Sequence, residues 1–543
     1  MSPVLDIRNL RIALPQGADR RYAVDDLSLQ LRSGEVTCLI GESGSGKSLA
    51  ARAILGLLPA PRVRASAGQI LFGETDLLAA SPETMRAIRG AGIAMIFQEP
   101  MTALNPLHSI GRQIDEVLRL HTSLPGKARR TRIIELLADV HLPEPARLLH
   151  AYPHQMSGGQ RQRAMIAMAL ALSPKLLIAD EPTTALDVTT QAQIIHLIRT
   201  LQRERGTAVL FITHDFGVVA DIADTVAVLQ QGSLVEAGPR DAVLNHPQHR
   251  YTQALIAAVP RLIPPAARAQ PANRVPVILE SRKLRKTYGA RALFGGRTTT
   301  ALDGVDIALR TGETLGLVGE SGSGKSTLAR AVTRLLAADS GEILFHGHDL
   351  APLGRRQLRP YRKRIQMVFQ DPFASLDPRQ TVVEVIAEGP IIHGTPRTQA
   401  HAEARALLGL VGLDPSAGDR YPHEFSGGQR QRIGIARALA MQPEVIVADE
   451  PVSALDVSVQ AQVLALFADI KARLQLSMIF VTHDLRVALQ VCDRIAVMRA
   501  GRVVELATAQ DIFAAPTHPY TKDLLAAVPG AAWQQAMLER TDA

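Results

Sequence analysis

Two identical octapeptides, GESGSGKS, carry the clearest chemistry in this 543-residue chain; they span Gly41–Ser48 and Gly319–Ser326. Each matches the pattern G-x-x-x-x-G-K-[ST], follows an apolar run and opens a helical stretch, which is the context in which such a loop binds phosphate. The glycines let backbone N–H groups surround an anion, and the helix N-terminus adds positive potential. The lysine supplies a point charge for the β- and γ-phosphates, and the serine a hydroxyl for Mg²⁺. The expected phosphate contacts are Gly41, Glu42, Ser43, Gly44, Ser45, Gly46, Lys47, Ser48 and Leu49 in the first copy, and Gly319, Glu320, Ser321, Gly322, Ser323, Gly324, Lys325, Ser326 and Thr327 in the second.

Each copy also has an apolar strand that ends in two adjacent carboxylates, within LLIADEP and VIVADEP. A carboxylate at the C-terminal end of a parallel strand lies at the rim where α/β proteins bind ligands. We expect Asp180 and Asp449 to hold Mg²⁺ through water, together with Ser48 or Ser326. Glu181 and Glu450 follow one residue later, point in a different direction and can polarise a water for in-line attack.

A histidine and a glutamine complete the reactive set in each copy. His214 and His483 stand in Thr-His-Asp after an apolar strand, at the same distance from the acidic pair, which favours contact with a γ-phosphate. Gln98 and Gln370 lie in IFQEP and VFQDP, and their neutral amides can reach Mg²⁺ or the attacking water without adding charge.

The segment SGGQRQR, which also occurs twice, predicts a second anion-binding helix start in each copy. Serine is a good N-cap, and the glycines leave backbone N–H groups accessible. If a nucleotide lay between the phosphate loop of one copy and this segment of the other, the chain would form two shared sites in a pseudo-two-fold, head-to-tail sandwich. The residues concerned are Ser157, Gly158, Gly159 and Gln160, and Ser426, Gly427, Gly428 and Gln429.

The repeated motifs indicate two whole domains produced by duplication, since those from Tyr152 to Pro260 recur 269 residues later. We place the domains at 1–260 and 277–530, with a Pro/Ala/Arg-rich linker at 261–276 and a tail at 531–543. Alternating apolar runs and helical stretches predict α/β domains with largely parallel sheets. The predicted strands are Val36–Ile40, Leu176–Ala179, Ala208–Thr213, Thr314–Val318, Val445–Ala448 and Ser477–Thr482. The predicted helices are Ser48–Leu58, Arg161–Leu172, Ser326–Leu336 and Arg430–Leu439.

Composition excludes several classes of protein. With 46% hydrophobic residues the chain can bury a sizeable core, and no apolar run approaches the length of a membrane span. The N-terminus alternates like a strand rather than a signal peptide. Cys38 and Cys492 are the only cysteines, too few for a disulfide framework, a Cys-rich zinc site or an iron–sulfur cluster, and they fit a reducing cytoplasmic setting. The net charge of +8 is compatible with nucleic acid or an anionic membrane surface, but the basic residues are scattered.

With these motifs in this order, each copy resembles the nucleotide-binding domain of an ATP-binding cassette (ABC) protein, over about residues 4–260 and 277–529. The resemblance implies two tandem P-loop NTPase domains, each with a RecA-like core, an antiparallel β subdomain and a helical signature subdomain, which bind ATP and Mg²⁺ and hydrolyse ATP. It also implies that Ala185–Leu186–Asp187 and Ala454–Leu455–Asp456 are D-loops linking the two sites. An aromatic residue that stacks on adenine would be Tyr288 in the second copy; the first copy has Leu14 at the matching place and Tyr22 only after an offset.

The subfamily is narrowed by YPHQMSGGQRQR and YPHEFSGGQRQR, by FQEPMTALNP and FQDPFASLDP, and by HRYTQALIAAVP and HPYTKDLLAAVP. These segments resemble the oligopeptide/dipeptide/nickel importer ATPases, here fused as in the single-chain ATPases of microcin C-type peptide importers and glutathione importers. The resemblance implies a peripheral subunit on the cytoplasmic side of a bacterial inner membrane. It would dock on two transmembrane permease subunits near Gln98 and Gln370 and be served by a periplasmic solute-binding protein, with no nucleic acid and no iron–sulfur cluster.

Three other classes of tandem cassette protein fit the sequence less well. A sugar-importer ATPase shares the layout, but the YPH and ALNP/SLDP segments favour peptides. A ribosome-associated tandem protein would carry a long charged linker, which the short Pro/Ala-rich joint does not match. An excision-type DNA-repair ATPase needs zinc-binding cysteines that this chain lacks.

Overall fold

Fully buried apolar runs form the central strands of this protein. The computed structural model describes residues 3–99, 103–183, 186–263, 275–289, 298–371, 375–453 and 455–541. The chain divides into two compact units. The first comprises Met1–Leu186, Thr190–Val259 and Pro529–Ala543, and the second comprises Asp187–Thr189 and Pro260–Val528.

The first unit contains one antiparallel and one mainly parallel sheet. Its strands are β1 Leu5–Ala13, β2 Tyr22–Leu31, β3 Val36–Ile40, β4 Arg64–Phe72, β5 Thr75–Asp76, β6 Ile93–Ile96, β7 Leu176–Asp180, β8 Ala208–Ile212, β9 Thr225–Gln230 and β10 Ser233–Pro239. The antiparallel sheet has the order β2-β1-β4-β5, and the larger sheet has the order β10-β9-β3-β8-β7-β6. In the larger sheet β10 pairs with β9 antiparallel while the other neighbours are parallel.

Helices flank these sheets in the first unit. They are α1 Lys47–Ile54, α2 Pro82–Ile88, α3 Ile110–His121, α4 Gly126–Asp139, α5 Pro145–Leu148, α6 Gly158–Ala169, α7 Val188–Arg205, α8 Phe216–Ile222, α9 Arg240–Asn245 and α10 Arg250–Ala257. Helix α1 and one face of the parallel sheet share a core with the antiparallel sheet, in which Leu10, Ile54 and Ile178 are fully buried. This core fixes the strand ends from which the functional loops leave.

The second unit repeats this architecture. Its strands are β11 Val277–Tyr288, β12 Thr299–Arg310, β13 Thr314–Val318, β14 Ser340–Phe345, β15 His348–Asp349, β16 Ile365–Val368, β17 Val445–Asp449, β18 Ser477–Thr482, β19 Arg494–Arg499 and β20 Arg502–Thr508, in sheets ordered β12-β11-β14-β15 and β16-β17-β18-β13-β19-β20. Its helices are α11 Lys325–Val332, α12 Arg355–Arg364, α13 Val382–Ile392, α14 Arg397–Leu410, α15 Gly427–Leu439, α16 Val457–Leu474, α17 Leu485–Val491, α18 Ala509–Ala514 and α19 Pro519–Ala526.

The predicted α/β class with largely parallel sheets is confirmed, whereas several helix limits were wrong. Helices α1 and α11 begin one residue before the predicted serines, because Gly46 and Gly324 adopt left-handed conformations (φ 104° and 106°) that let the lysine start the helix. They also end earlier, at Ile54 and Val332. Of the predicted linker, residues 264–274 lie outside the described part of the chain.

The residues expected to form a tail are helical. Helix α20 Ala531–Thr541 belongs to the first unit, where the backbone N–H of Gly530 donates to Asp221 (3.0 Å) and the indole N–H of Trp533 donates to Asn245 (3.2 Å). Within the described ranges, no helix combines the length and the apolar character that a membrane crossing requires.

Candidate functional site

Each glycine loop connects a buried strand to a helix, β3 to α1 in the first unit and β13 to α11 in the second. Gly41 and Gly319 have φ angles of 149° and 151°. A Cβ atom at Gly41 would clash with the carbonyl oxygen of Leu229, and one at Gly319 with that of Met498. Glycine is therefore required at the start of each loop, where the backbone passes close to the neighbouring strand.

The lysine of each loop is buried and held by the loop's own backbone. Lys47 Nζ donates to the carbonyl oxygens of Gly41 (2.7 Å) and Glu42 (2.8 Å). Lys325 Nζ makes the equivalent bonds in the second unit, at 2.6 and 2.8 Å. Burial lowers the pKa of Lys325, although the nearby carboxylates of Glu450 and Asp449 oppose this effect. A cation in this position has exchangeable carbonyl partners, which phosphate oxygens can replace.

The serine of each loop meets the first carboxylate of the acidic pair. Ser48 Oγ donates to Asp180 Oδ1 at 2.9 Å, and Ser326 Oγ donates to Asp449 Oδ1 at the same distance. Both aspartates are almost fully buried at the ends of β7 and β17. Burial raises the pKa of each of these aspartates, although the serine hydrogen bond opposes it. A nearby cation would therefore favour the charged form that burial disfavours.

The second carboxylate contacts the predicted glutamine and histidine. In the first unit Gln98 Nε2 donates to Glu181 Oε2 (2.9 Å), and His214 Nδ1 lies 3.4 Å from Glu181 Oε1. In the second unit Gln370 Nε2 donates to Glu450 Oε2 (2.9 Å), and His483 Nδ1 lies 3.2 Å from the same oxygen. The three side chains of each group were assigned from separate motifs, and the fold brings them together.

The backbone turns sharply at each of these glutamates. Glu181 and Glu450 have left-handed φ angles of 45° and 46°, which cost a residue with a side chain about 1–3 kcal/mol. Their backbone N–H groups donate to Ile212 (2.9 Å) and Val481 (3.0 Å) on the adjacent strand. This turn directs the glutamate away from the preceding aspartate, so the two carboxylates have different partners.

The Thr-His-Asp segments position the histidines. Thr213 Oγ1 accepts from the backbone N–H of Asp215 (3.0 Å), and Asp215 caps helix α8 by accepting from Gly217 (2.8 Å). Thr482 and Asp484 repeat these bonds at the start of α17. The histidine is thereby fixed between a strand end and a helix cap.

Electrostatics favour the charged forms of His214, His483 and Glu450. Burial lowers the pKa of His483, but the hydrogen bond and charge of Glu450 and the charge of Asp484 outweigh it, so the pKa is raised. The pKa of His214 is raised in the same way, because the hydrogen bond and charge of Glu181 and the charge of Asp215 outweigh burial. Burial raises the pKa of Glu450, but the hydrogen bond and charge of His483 outweigh it, so the carboxylate form is favoured.

The SGGQ segments form capped helix starts at α6 and α15. Ser157 Oγ accepts from the backbone N–H of Gln160 (3.2 Å), while the Gln160 side chain accepts from that of Ser157 (3.1 Å). Ser426 and Gln429 form the same capping box. Both helices start at the first glycine, three residues before the predicted arginines, because this box holds the glycines in the first turn.

Of the remaining predicted ligands, Asp187 lies in the second unit, where its charge opposes the lowering of the pKa of Lys325 by burial. Asp187 accepts from Thr189 (2.9 Å), and Asp456 caps α16 by accepting from Val459 (3.0 Å). Ala185 and Ala454 lie outside the described residues. Leu49 and Leu14 pack against the core of the first unit, and Thr327 is half-buried.

The candidate adenine residues differ between the copies. Tyr288 is 44% exposed, with Lys286 Nζ 5.9 Å from its ring centre. The ring of Tyr22 lies 5.7 Å from the guanidinium carbon of Arg11 and 5.1 Å from that of Arg21.

Two tyrosines that contact the glycine loops were not assigned to the site from the sequence. The hydroxyl of Tyr251 accepts from the backbone N–H of Glu42 (3.1 Å), and that of Tyr520 accepts from Glu320 (3.1 Å). Both tyrosines lie in the repeated segments HRYTQALIAAVP and HPYTKDLLAAVP. Their repetition after each copy was the available signal.

Comparison with known proteins identifies the family of the chain. The family described as ABC transporter matches residues 24–184 and 302–453, and the oligopeptide/dipeptide transporter C-terminal region matches 235–291 and 504–541. The chain is 50% identical over 530 residues to the peptidoglycan transport ATP-binding protein YejF of Agrobacterium fabrum, covering 97% of this chain and 96% of that protein. It is 46% identical over 557 residues to the glutathione import ATP-binding protein GsiA of Shigella dysenteriae serotype 1, covering 97% and 89%.

A solved dimeric structure of the ATP-binding cassette MJ0796, in a post-hydrolysis state bound to ADP and Pi, is 28% identical. It covers 42% of this chain and 98% of its own, with a TM-score of 0.39. The family match covers more than half of the chain, and the two relatives match nearly all of it. The chain therefore belongs to the ABC transporter family, as an ATP-binding protein of the oligopeptide/dipeptide type with two tandem cassettes that hydrolyse ATP to power transport.

Proposed function

We propose that this protein powers the import of peptides or peptide-like solutes across a bacterial inner membrane. The observation that carries the proposal is the oligopeptide/dipeptide transporter C-terminal region, which matches once at the end of each cassette. Relatives named for peptidoglycan transport and glutathione import support a peptide-like cargo. The cassettes occupy 1–260 and 277–530 and are joined by a linker at 261–276.

The oxygen donors at each serine and aspartate fit Mg²⁺. This ion takes few protein ligands and completes its shell with water and phosphate oxygens. The 2.9 Å contact between Ser48 and Asp180, repeated at Ser326 and Asp449, brings two hard oxygen atoms together beside the phosphate loop. These residues would hold the ion, with Gln98 and Gln370 nearby. When bound, Mg²⁺ neutralises charge on the β- and γ-phosphates.

The reacting groups divide the work between binding and proton transfer. Lys47 and Lys325 exchange their carbonyl partners for phosphate oxygens as ATP enters. Glu181 and Glu450 then orient a water in line with the γ-phosphate and accept its proton. The lowered pKa of Glu450 keeps it ready as a carboxylate. His214 and His483 donate to the γ-phosphate, and their raised pKa values favour the cation that stabilises its charge.

A further part of the proposal is that the SGGQ helix start of one cassette completes the nucleotide site of the other. The support is chemical: Ser157, Gly158 and Ser426 are exposed at helix N-termini, where backbone N–H groups attract anions. A crystal structure of the Glu181→Gln/Glu450→Gln variant with trapped ATP tests this arrangement. If each ATP is enclosed by one cassette alone, sharing is wrong.

The partners we propose are two transmembrane permease subunits, which dock near Gln98 and Gln370 from the cytoplasmic side, and a solute-binding protein that delivers cargo from outside. Docking beside these glutamines would couple permease movement to the Glu181 and Glu450 contacts. The ATPase is then a peripheral membrane subunit.

Co-purification followed by reconstitution tests the proposal. The tagged chain is purified in detergent with its bound membrane subunits, and the complex is placed in proteoliposomes with the solute-binding protein. We expect di- and oligopeptides to stimulate ATP hydrolysis and to be taken up, while sugars do neither. The Glu181→Gln/Glu450→Gln complex is the matched control and should retain its subunits without uptake. Recovery of a sugar permease, or of ribosomes, would overturn the proposal.

A further inference from the structure

The helix that carries Tyr251 is anchored by a carboxylate on the preceding strand. Glu236 on β10 accepts from the backbone N–H groups of Gln248 (2.7 Å) and His249 (3.2 Å). His249 Nδ1 then accepts from the backbone N–H of Tyr251 (3.2 Å) and caps helix α10. The position of the tyrosine is thus fixed by three hydrogen bonds within the segment between β10 and α10.

The second unit builds the same anchor with a glutamate, a histidine and a tyrosine at the equivalent positions. Glu505 on β20 accepts from the backbone N–H groups of Thr517 (2.7 Å) and His518 (3.1 Å), and also from the Thr517 hydroxyl (2.8 Å). His518 Nδ1 caps α19 by accepting from Tyr520 (3.1 Å). The anchor is kept although HPQHRY in the first copy corresponds to APTHPY in the second.

Each anchored tyrosine reaches the same atom of its glycine loop. The accepted N–H belongs to Glu42 or Glu320. This residue directly follows Gly41 or Gly319, a position where only glycine fits. The carbonyl oxygens of this glycine and glutamate are the ones that hold the loop lysine. The hydroxyl therefore fixes the short backbone segment whose carbonyl oxygens accept hydrogen bonds from the phosphate-binding lysine.

The surroundings keep Tyr520 in its neutral, hydrogen-bonding form. The residue is 4% exposed, and burial raises the pKa of its hydroxyl to about 12. The guanidinium carbon of Arg499 lies 4.8 Å from the ring centre, which holds the ring from one side.

We infer that Tyr251 and Tyr520 are positioning residues for ATP. Each holds the phosphate loop of its cassette in place from the helix that carries it, α10 or α19. The inference rests on the assignment of Gly41–Ser48 and Gly319–Ser326 as the phosphate loops. A loop fixed at its start presents its N–H groups and lysine to phosphate with less ordering on binding, which lowers the cost of binding ATP. Helices α10 and α19 are thereby connected to the phosphate loops by a direct hydrogen bond.

Removing both hydroxyls in the full chain tests the inference. We expect Tyr251→Phe/Tyr520→Phe to raise the KM for ATP about two- to tenfold, as loss of one neutral hydrogen bond per site predicts. The change should leave kcat within about twofold, because the contact acts alike on ground state and transition state. Tyr361→Phe is the matched control: its half-buried ring packs against Phe345 away from the site, and its KM should equal that of the wild type. A KM unchanged in the double variant would overturn the inference.

Hydrogen exchange separates positioning from a general loss of stability. In Tyr251→Phe the Glu42 amide should exchange faster while the peptide covering Glu320 is unchanged, and Tyr520→Phe should give the reverse. Equal acceleration at both loops, or none, would contradict a local contact.

A further variant distinguishes failure of this inference from failure of the site assignment. Lys47→Ala/Lys325→Ala should abolish binding of a fluorescent ATP analogue. If it does not, the loops themselves are misassigned. If it does and the tyrosine variants match the wild type, only the positioning role is wrong.

Discussion

Replacing one glutamate at a time measures whether the two cassettes hydrolyse ATP equally. Glu181 and Glu450 each accept from a glutamine at 2.9 Å and lie 3.2–3.4 Å from a histidine nitrogen. In Glu181→Gln and Glu450→Gln the new amide has the same size and keeps one oxygen as a hydrogen-bond acceptor, but it cannot take a proton from water. We therefore expect folding and ATP binding to be retained and hydrolysis to be lost at the altered site.

The size of the loss follows from the proton transfer alone. A positioned general base contributes about 10²–10⁴-fold, or about 2.7–5.5 kcal/mol of barrier. If the sites act independently, each single variant keeps about half of the wild-type turnover. If hydrolysis at both sites is obligatory, the turnover of each single variant falls by the full 10²–10⁴-fold. In either case the matching geometry predicts that the two single variants agree within about twofold, and that the double variant loses the full factor.

Steady-state phosphate release at saturating Mg²⁺ and ATP is the assay, with binding of a fluorescent ATP analogue measured in parallel. Glu74→Gln, which neutralises an exposed carboxylate in the first unit, is the control and should be silent. If one variant abolishes turnover while the other has no effect, the matching geometry of the two sites does not give them equal chemistry.

Three further outcomes are expected. Ser326→Ala removes the hydroxyl that lies 2.9 Å from its aspartate partner and should raise the Mg²⁺ concentration for half-maximal ATPase activity at least about tenfold; an unchanged Mg²⁺ titration would contradict this. The pKa of His483 is raised above its ordinary 6.5, and that of Glu450 is lowered below its ordinary 4.5. Their pairing therefore contributes fully to the free energy of unfolding between these two pH values. The contribution is lost as the pH rises through the raised pKa of the histidine, and also as the pH falls through the lowered pKa of the glutamate. In urea unfolding, His483→Gln should cost about 1–2 kcal/mol near pH 6 and less once the pH exceeds the raised pKa of the histidine, and a cost that grows with pH would be the wrong sign. Gly530→Ala would place a Cβ 2.6 Å from the backbone of α8 at a φ of 72°, so α20 should undock and the emission of Trp533, the only tryptophan, should shift to the red; unchanged emission would show that the helix tolerates the added methyl.

The buried strands were the part of the fold most open to prediction from sequence. Val36–Ile40, Thr314–Val318 and Ser477–Thr482 have the predicted limits, because each is a short apolar run bounded by polar or glycine residues and buried on both faces. The limits of the helices were harder to predict from the sequence, because each depends on the backbone conformation of a single residue. Gly56, at a φ of 62°, follows the end of α1, although the apolar pattern continues to Leu58.

Contacts between distant segments explain what sequence reasoning missed. The motifs identify Ser48, Asp180 and Glu181, but not that the serine bonds to the first carboxylate and the glutamine to the second. The Tyr251 hydroxyl lies 209 residues from the amide it accepts from, and no local pattern encodes that contact. The docking of the C-terminal helix could not be predicted for the same reason, because its partners Asp221 and Asn245 lie some 300 residues earlier.

The duplication supplies an internal comparison that a single cassette could not. The lysine, serine, aspartate, glutamate, glutamine and histidine contacts recur in both copies with distances that agree within 0.2 Å. The differences fall elsewhere: Leu14 against Tyr288 near the predicted base site, and Leu49 against Thr327 after the loop serine. Groups that bind the base act equally on ground state and transition state, whereas the shared groups act on the reacting phosphate. Any inequality between the two cassettes should therefore arise in nucleotide affinity rather than in the hydrolytic step.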